Sequence, residues 1–266
     1  MSTVPAALRR AKIVERIRRD GGVTIAEVAR DHDISNMTAH RDLETLAREG
    51  LVERVRGGAR AIDLEPGAPH PTAWTQRVEQ ARAAKSAIAK EAAAMVTGGS
   101  TIFLDASSTA LALARCLVED PPNELTLVTS SPAIAYEMQA EPVHVIVTPG
   151  ELDQHMKMIA GRWTVEFVSQ LNFDLAFVSA AGITLEEGLT TSRRPLADVV
   201  NAARWNAKRT VALIDASKFG RASLLTIMRA DDPDLIITDS DLAAEFASAY
   251  DAAGVNLEIL STKEAA

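Results

Sequence analysis

The run Asp105-Ala106-Ser107-Ser108-Thr109 follows a short apolar stretch, TIFL, and precedes a helical pattern. Three hydroxyls in such a turn suit an anion, because amides and the dipole at a helix start already favour negative charge there. Ser and Thr are also ordinary helix caps, so the run alone leaves an anion site and a plain cap equally open. Similar turns recur downstream. Thr129-Ser130-Ser131 ends a second apolar run, Gly150 a third, a glycine-bracketed loop beginning at Gly182 a fourth, and Asp215-Ala216-Ser217-Lys218 a fifth. Lys218 would supply a point charge for phosphate, or would be a solvated loop lysine. The same residues offer a catalytic alternative, with Asp105, Asp215, Lys218, Glu186 or Glu187 as acid and base. That chemistry needs two groups aimed at adjacent carbons. No His or Glu lies inside a strand-end motif, and Asp215 is explained as a loop-structuring residue, so an enzyme is not expected. The five histidines are scattered without ligand spacing, and neither a metal nor a cofactor is expected.

A second group of chemically able residues lies near the N-terminus. Residues 1–65 hold 12 Lys/Arg against 11 Asp/Glu, a net of +1, whereas the other 201 hold 16 against 25, a net of −9. Phosphate contact therefore belongs to the first part despite an overall charge of −8. Leu8, Ile13 and Ile17 fall near one face of a first helix that DGG ends. Thr24 with Glu27 three residues on forms a capping box for a second. A tight turn around Asp33 leads to Ser35, the cap of a third helix with Leu43 and Leu46 inward and Gly50 as its stop. Two short helices, a turn and a third helix with a small polar start make a helix-turn-helix pattern. Val52 and Val55 are then expected on one side of a hairpin closed by a Gly-Gly turn, with Arg54, Arg56 and Arg60 around its tip.

These two groups need separate scaffolds. The stretch DLEPGAPHPT (63–72) holds three prolines and one glycine without apolar periodicity, which reads as a linker. The expected division is a DNA-binding domain over 1–64, a linker over 65–73 and an effector-binding and oligomerisation domain over 74–266. Beyond the linker, residues 74–97 read as one long helix. Short Val/Ile/Leu runs then alternate with helical stretches, which implies βα units and a largely parallel sheet covered on both faces. Ligands in such sheets sit beyond the carboxyl ends of the strands, so the Ser/Thr loops would converge on one crevice. The fold class expected is α/β, with an N-terminal winged helix-turn-helix joined to a Rossmann-like, mainly parallel α/β sensor domain. Cys116 is the single cysteine and reads as a buried thiol. Trp74, Trp163 and Trp205 read as packing or interface anchors. With no long apolar run and no signal-peptide core at the start, a cytoplasmic protein without a membrane partner is expected.

The stretch from Arg9 to Ala59 resembles the winged helix-turn-helix of the DeoR family of bacterial transcriptional regulators. Where that family usually has Thr-Ile-Arg-Arg-Asp-Leu, this chain has Thr38-Ala39-His40-Arg41-Asp42-Leu43, and its wing reads Arg56-Gly57-Gly58-Ala59. By position, Asn36, Met37, Thr38, His40 and Arg41 would enter the major groove, where Asn and Arg can contact base edges in pairs of bonds. Arg54 and Arg56 would meet phosphate, and the caps Thr24 and Ser35 complete the candidate DNA contacts. The later segments look like the DeoR sensor domain, so the resemblance spans about residues 8–240. It implies a fold similar to ribose-5-phosphate isomerase and glucosamine-6-phosphate deaminase, binding phosphorylated sugars or related metabolites. The family's Asp-Ser-Gly-Thr-Thr loop falls on Asp105 to Thr109, its Thr-Asn-Ser on Thr129 to Ser131, and its Ser-Lys on Ser217-Lys218. Ser107 stands where the family usually has glycine, and its Cβ is expected to restrict phosphate approach. Ser130 replaces asparagine, and His40 a usual arginine.

The function expected is therefore a sequence-specific transcriptional regulator, a repressor controlled by a small phosphorylated metabolite and bound as a homo-oligomer, dimer or tetramer, to double-stranded operator DNA. The rival readings are a constitutive DNA-binding regulator whose C-terminal part only oligomerises, and a sugar-phosphate isomerase.

Overall fold

The structure, a computed structural model, describes residues 6–48, 51–61, 73–138, 142–154 and 156–260. It divides into two compact units, Met1–Ala73 and Trp74–Ala266. Residues 65–72 of the proposed linker, Gly50 and the side chain of Leu8 lie outside the described residues, while Ala73, expected as the linker's last residue, begins a helix.

In the first unit, α1 (Ala6–Asp20) is followed by β1 (Gly22–Thr24), α2 (Ile25–Asp31), α3 (Asn36–Arg48), β2 (Val52–Val55) and β3 (Gly58–Ala61). Ile13, Val14 and Ile17 of α1 meet Val28, Ala39, Leu43, Leu46 and Val52 in one small core. Each such aliphatic side chain contributes about 1.5–3 kcal/mol on burial. Thr24 caps α2 through a complete capping box with Glu27. Asp33 takes φ +50° in the turn between α2 and α3, a conformation Asp tolerates better than most residues. The three strands form an antiparallel sheet in the order β1-β3-β2.

Two expectations for the wing are corrected. Val55 pairs with Gly58, so the two-residue turn is Arg56-Gly57, with Gly57 at φ +84°. Gly58 instead belongs to β3, where a side chain would collide with the Val23 carbonyl of β1. Strand alternation also separates the valines: Val52 is buried, while Val55 is half-buried on the opposite face.

The second unit opens with α4 (Ala73–Glu79) and α5 (Arg82–Ala94), which corrects the single helix expected over 74–97. The break has no Gly or Pro signal. Ala81 adopts φ +52°, and the buried Lys85 ammonium draws in the carbonyls of Arg77 and Gln80. The chain continues through β4 (Thr101–Leu104), α6 (Ser108–Glu119), β5 (Thr126–Thr129), α7 (Pro132–Glu137) and β6 (His144–Val147). A hairpin of β7 (Glu151–Asp153) and β8 (Met158–Ala160) leads to α8 (Arg162–Val168) and β9 (Phe173–Val178). Next come β10 (Gly182–Thr184), β11 (Gly188–Thr191), α9 (Arg194–Trp205), β12 (Ala207–Leu213) and β13 (Leu225–Met228). The described chain closes with β14 (Leu235–Asp239), α10 (Ala244–Ala252) and β15 (Leu257–Leu260).

Seven strands make one parallel sheet in the order β15-β14-β12-β9-β4-β5-β6. Sequence order runs outward from β4 to one edge and from β9 to the other, so the topological switch lies between β4 and β9. Ile88, Ala92, Leu113 and Ile134, from α5, α6 and α7, pack on one face with Ile102 and Leu104 of β4. Val168, Val199, Val200 and Tyr250, from α8, α9 and α10, cover the other with Phe103 and Ala176. Both faces are thus dry, which is why the strands read as continuous apolar runs.

Candidate functional site

The two candidate groups stay in separate units. At the start of α3, Ser35, Asn36, Met37 and Arg41 are exposed, Met37 by 64%. Thr38 and His40 are half-buried. The Thr38 amide donates to Ser35 Oγ at 3.2 Å, and the two hydroxyls lie 2.9 Å apart, so Ser35 caps α3. His40 Nδ1 stands 3.3 Å from Glu44 one turn on, which orients the imidazole along the helix surface. The opposite face of α3 is fastened by a buried ion pair, Asp42 Oδ2 to Arg9 Nε of α1 at 2.7 Å. Sequence reasoning missed this pair, although Asp42 falls on the same helical stripe as the buried Ala39, Leu43 and Leu46.

The arginines of the wing divide by what they touch. Arg54 Nη1 donates to the Gly58 carbonyl at 2.7 Å and braces the hairpin. Arg60 Nε donates to Glu53 across the strands at 2.8 Å. Arg56, at the turn, is exposed and has no protein partner among the described residues. Thr24 has its hydroxyl committed to Glu27, accepting from its amide and donating to its carboxylate at 2.8 Å.

In the second unit, the loops after β4, β5, β9 and β12 gather at the carboxyl end of the sheet. Asp105 is buried at the end of β4, and its carboxylate accepts the Ser107 amide at 2.9 Å and the Ser179 amide at 2.7 Å. Burial raises its pKa, and those amide donors oppose the rise. Ser107 is the N-cap of α6, at φ −88°, and its Oγ accepts from the Ala110 amide at 3.0 Å. The backbone there is extended, so the Cβ in the usual glycine position carries no conformational strain. The first intrahelical bond of α6 runs from the Leu111 amide to the Ser107 carbonyl, so the amides of Ser108 and Thr109 precede it.

The hydroxyls of these loops fall into two sets. Thr129 Oγ1 donates to the Leu104 carbonyl at 2.8 Å and accepts from the Ser131 amide, while Ser131 caps α7. The Ser130 hydroxyl is fully buried without a partner, and the hydroxyls of Ser108 and Thr109 have none among the described residues. Asp215 is buried at the end of β12 and holds Ser217 through that residue's amide and hydroxyl. Lys218 is half-buried in the short helical turn that follows, with no protein acceptor for its ammonium among the described residues. This set of donors can hold an anion.

The two glycines serve backbone approach. Gly150, at φ +147°, passes too close to Thr164 and the Ala160 carbonyl for any side chain, and it borders a depression of about 190 Å³ with Trp163. Gly182 begins β10 against the Arg221 carbonyl and is buried. Glu186 and Glu187, weighed as catalytic groups, stand exposed at the tip of the β10–β11 hairpin.

Two cations were missed. Arg77 of α4 lies over the Trp74 ring, 5.6 Å from its centroid, and is influenced by Arg193 and Asp153. Lys85 of α5 is buried, feels Asp215, Lys218 and Arg77, and is pushed down to about 8, chiefly by burial. One signal for Lys85 was available: it heads the stripe Lys85, Ile88, Ala89, Ala92, whose other members are core.

Trp74 is buried, whereas Trp163 and Trp205 are 67% and 73% exposed. Cys116 is half-buried, and burial pushes its thiol pKa up. Among the described residues no helix is long and apolar enough to cross a membrane.

Comparison with known proteins gives two domain matches. The DeoR-like helix-turn-helix domain matches residues 9–65, and the DeoR C-terminal sensor domain matches residues 80–240. The chain is 33% identical to the HTH-type transcriptional regulator GolR of Listeria innocua, over 94% of this chain and 97% of that one. It is 28% identical to the glycerol-3-phosphate regulon repressor of Escherichia coli K12, over 86% and 88%. Among solved structures, ribose 5-phosphate isomerase A of Methanocaldococcus jannaschii is similar over 51% of this chain and 53% of that one, at 19% identity and a TM-score of 0.38.

Proposed function

The chain belongs to the DeoR family of transcriptional regulators, DNA-binding proteins rather than enzymes, and from that premise we propose that it is an effector-controlled repressor. The single observation that carries the DNA-binding half is the head of α3. Asn36, Met37 and Arg41 stand in solvent, while the far face of the same helix is locked by Asp42, Leu43 and Leu46. In this reading α3 lies in the major groove, with Asn36, Met37, Thr38, His40 and Arg41 towards base edges and the Ser35 end at the backbone. Arg56 meets phosphate directly, and Arg54 supports it by holding the hairpin. Thr24 contributes through its place at the start of α2. A homo-oligomer, dimer or tetramer, presents paired winged helices to a two-fold operator.

The effector in this reading is a small phosphorylated metabolite. It sits at the switch between β4 and β9, where open parallel sheets hold ligands. The amides and hydroxyls of Ser108 and Thr109, the Thr129–Ser131 turn and the Lys218 ammonium serve it, while Asp105, Ser107, Gly150, Gly182 and Asp215 shape the loops that carry them. A relative named for a glycerol-3-phosphate regulon supports this ligand class.

Footprinting on the gene's own upstream region, with and without a panel of triose, pentose and hexose phosphates, tests both halves. The expected result is a protected two-fold site whose protection one phosphate weakens. A protected site that no phosphate alters would leave a constitutive regulator, and no protection anywhere would remove the DNA-binding reading.

A further inference from the structure

The parallel sheet ends at β6 on one side and at β15 on the other. The two edges differ. β15 (LEIL) carries Glu258, a charge of the kind that discourages another strand from docking, whereas β6 (HVIV) carries no Lys, Arg, Asp or Glu. The His144 and Thr148 amides donate to the Leu125 and Thr129 carbonyls, at 2.8 and 3.0 Å. Strand alternation therefore turns the amides and carbonyls of Val145 and Val147 outward, where no strand meets them among the described residues.

Apolar side chains gather at the same edge. Of the exposed large apolar side chains described in the second unit, Tyr136, Val147, Leu152 and Trp163 lie on β6 or on elements next to it, while Leu185, Trp205, Leu224 and Ile259 are distributed elsewhere. Tyr136 is 77% exposed on α7, which packs on β6. Trp163 lies in the first turn of α8, and Thr164 beside it donates through Oγ1 to the Pro149 carbonyl at 2.7 Å, which fastens that helix start to the end of β6. Exposed aromatic and aliphatic groups clustered on one edge mark an interaction surface.

The strand is complementary to itself. Turned antiparallel about a two-fold axis at Ile146, two β6 strands place Val145 of one copy opposite Val147 of the other, so each outward amide meets an outward carbonyl. No charged side chain of β6 is set against its like by that symmetry. His144 is exposed at the start of the strand and Trp163 stands at its end, and the antiparallel arrangement brings the one to the other. We propose that the β6 edge is the surface through which two copies of this chain associate, joining their parallel sheets by an antiparallel β6–β6 pairing flanked by Tyr136, Val147 and Trp163. The proposal rests on the homo-oligomeric reading above and names its interface.

Sedimentation of the full-length protein over a range of concentrations reads the association. Val147→Pro removes an amide that points out of the sheet and spares the bonds to β5, so the single protomer tolerates it while the pairing does not. Trp163→Glu places a charge on an exposed position at the end of the strand. Each is expected to weaken association about tenfold or more, whereas Ile259→Lys at the opposite edge leaves it unchanged. In a Cys116→Ser background, Ile146→Cys is expected to give a disulfide-linked dimer on mild oxidation, because facing non-hydrogen-bonded residues of antiparallel strands lie about 4.5 Å apart at Cα. Association unaffected by Val147→Pro and Trp163→Glu, or weakened equally by Ile259→Lys, would overturn this surface and leave the homo-oligomer standing. Weakened variants without the cross-link would overturn the strand pairing. If Val147→Pro fails to fold, Trp163→Glu decides together with the cross-link, since that side chain is already in solvent. A parent that stays monomeric would leave the edge to a different protein, and would overturn the homo-oligomeric reading and this proposal with it.

Discussion

The Asp105 carboxylate accepts the Ser179 backbone amide at 2.7 Å, and that one bond ties the end of β4 to the end of β9. These are the two strands from which the sheet grows in opposite directions. The other carboxylate oxygen holds the Ser107 amide at 2.9 Å and so sets the start of α6. Asp105 therefore determines where the loop hydroxyls stand, and its buried side chain is already committed to that task.

Asp105→Ala leaves two amide donors without their acceptor. Each unmet buried donor costs about 1–3 kcal/mol, so the variant is expected to lose a few kcal/mol of stability. Urea unfolding followed by tryptophan emission checks this, and an unchanged midpoint would contradict the role given to Asp105.

Arg9 and Asp42 test the first unit in the same way. Removing one partner of a buried ion pair strands the other charge, at a cost of about 3–5 kcal/mol. Asp42→Ala and Arg9→Met are each expected to melt the winged unit early, while the double variant recovers much of the loss. Circular dichroism melts of the four proteins in the cycle give the coupling energy directly; additive losses would mean that the pair is not coupled.

On operator DNA, Arg56→Ala and Arg41→Ala should fail differently. Loss of a phosphate contact lowers affinity on every sequence and reduces the salt slope by about 1. Loss of a base contact costs about 1–3 kcal/mol on the operator and relaxes preference at one position. Anisotropy titrations at several salt concentrations, on operator and scrambled duplexes, separate the two; matching behaviour of the variants would refute the division.

Lys85 gives the chain a pH signature. Its pKa is about 8 in the folded protein, chiefly through burial, against the ordinary value of 10.5. Between those values the unfolded chain binds the proton more tightly, so folding is favoured as pH rises. Stability should therefore climb from about pH 8 towards 10.5 relative to Lys85→Met, in which this contribution is absent. Melting temperatures of both proteins across that range supply the comparison, and parallel curves would refute it.

Much of the architecture was legible because it rests on local rules. The capping box at Thr24 and Glu27, the turn at Asp33 and the cap at Ser35 are short-range chemistry, and each recurs in the structure as expected. The parallel strands were readable since a sheet buried on both faces needs unbroken apolar runs. The edge strand β15, the short β1 and the small β10-β11-β13 sheet were not anticipated. Their pairing partners are supplied by tertiary neighbours rather than by their own patterns.

The candidate site was half legible for the same reason. The order of residues placed Ser and Thr at strand ends, and Lys218 after β12, because motif and strand are contiguous. What each hydroxyl does was decided only by folding: Ser107, Thr129 and Ser131 satisfy backbone groups, whereas Ser108, Thr109 and Ser130 do not. The gathering of Arg77, Lys85 and Lys218 likewise needed the sheet to bring positions over 100 residues apart into one electrostatic field. Sequence by itself determined the elements, since capping and hydrophobic periodicity act within a few residues. Only the tertiary structure decided which charges share a dielectric, because burial and proximity are properties of the packed chain.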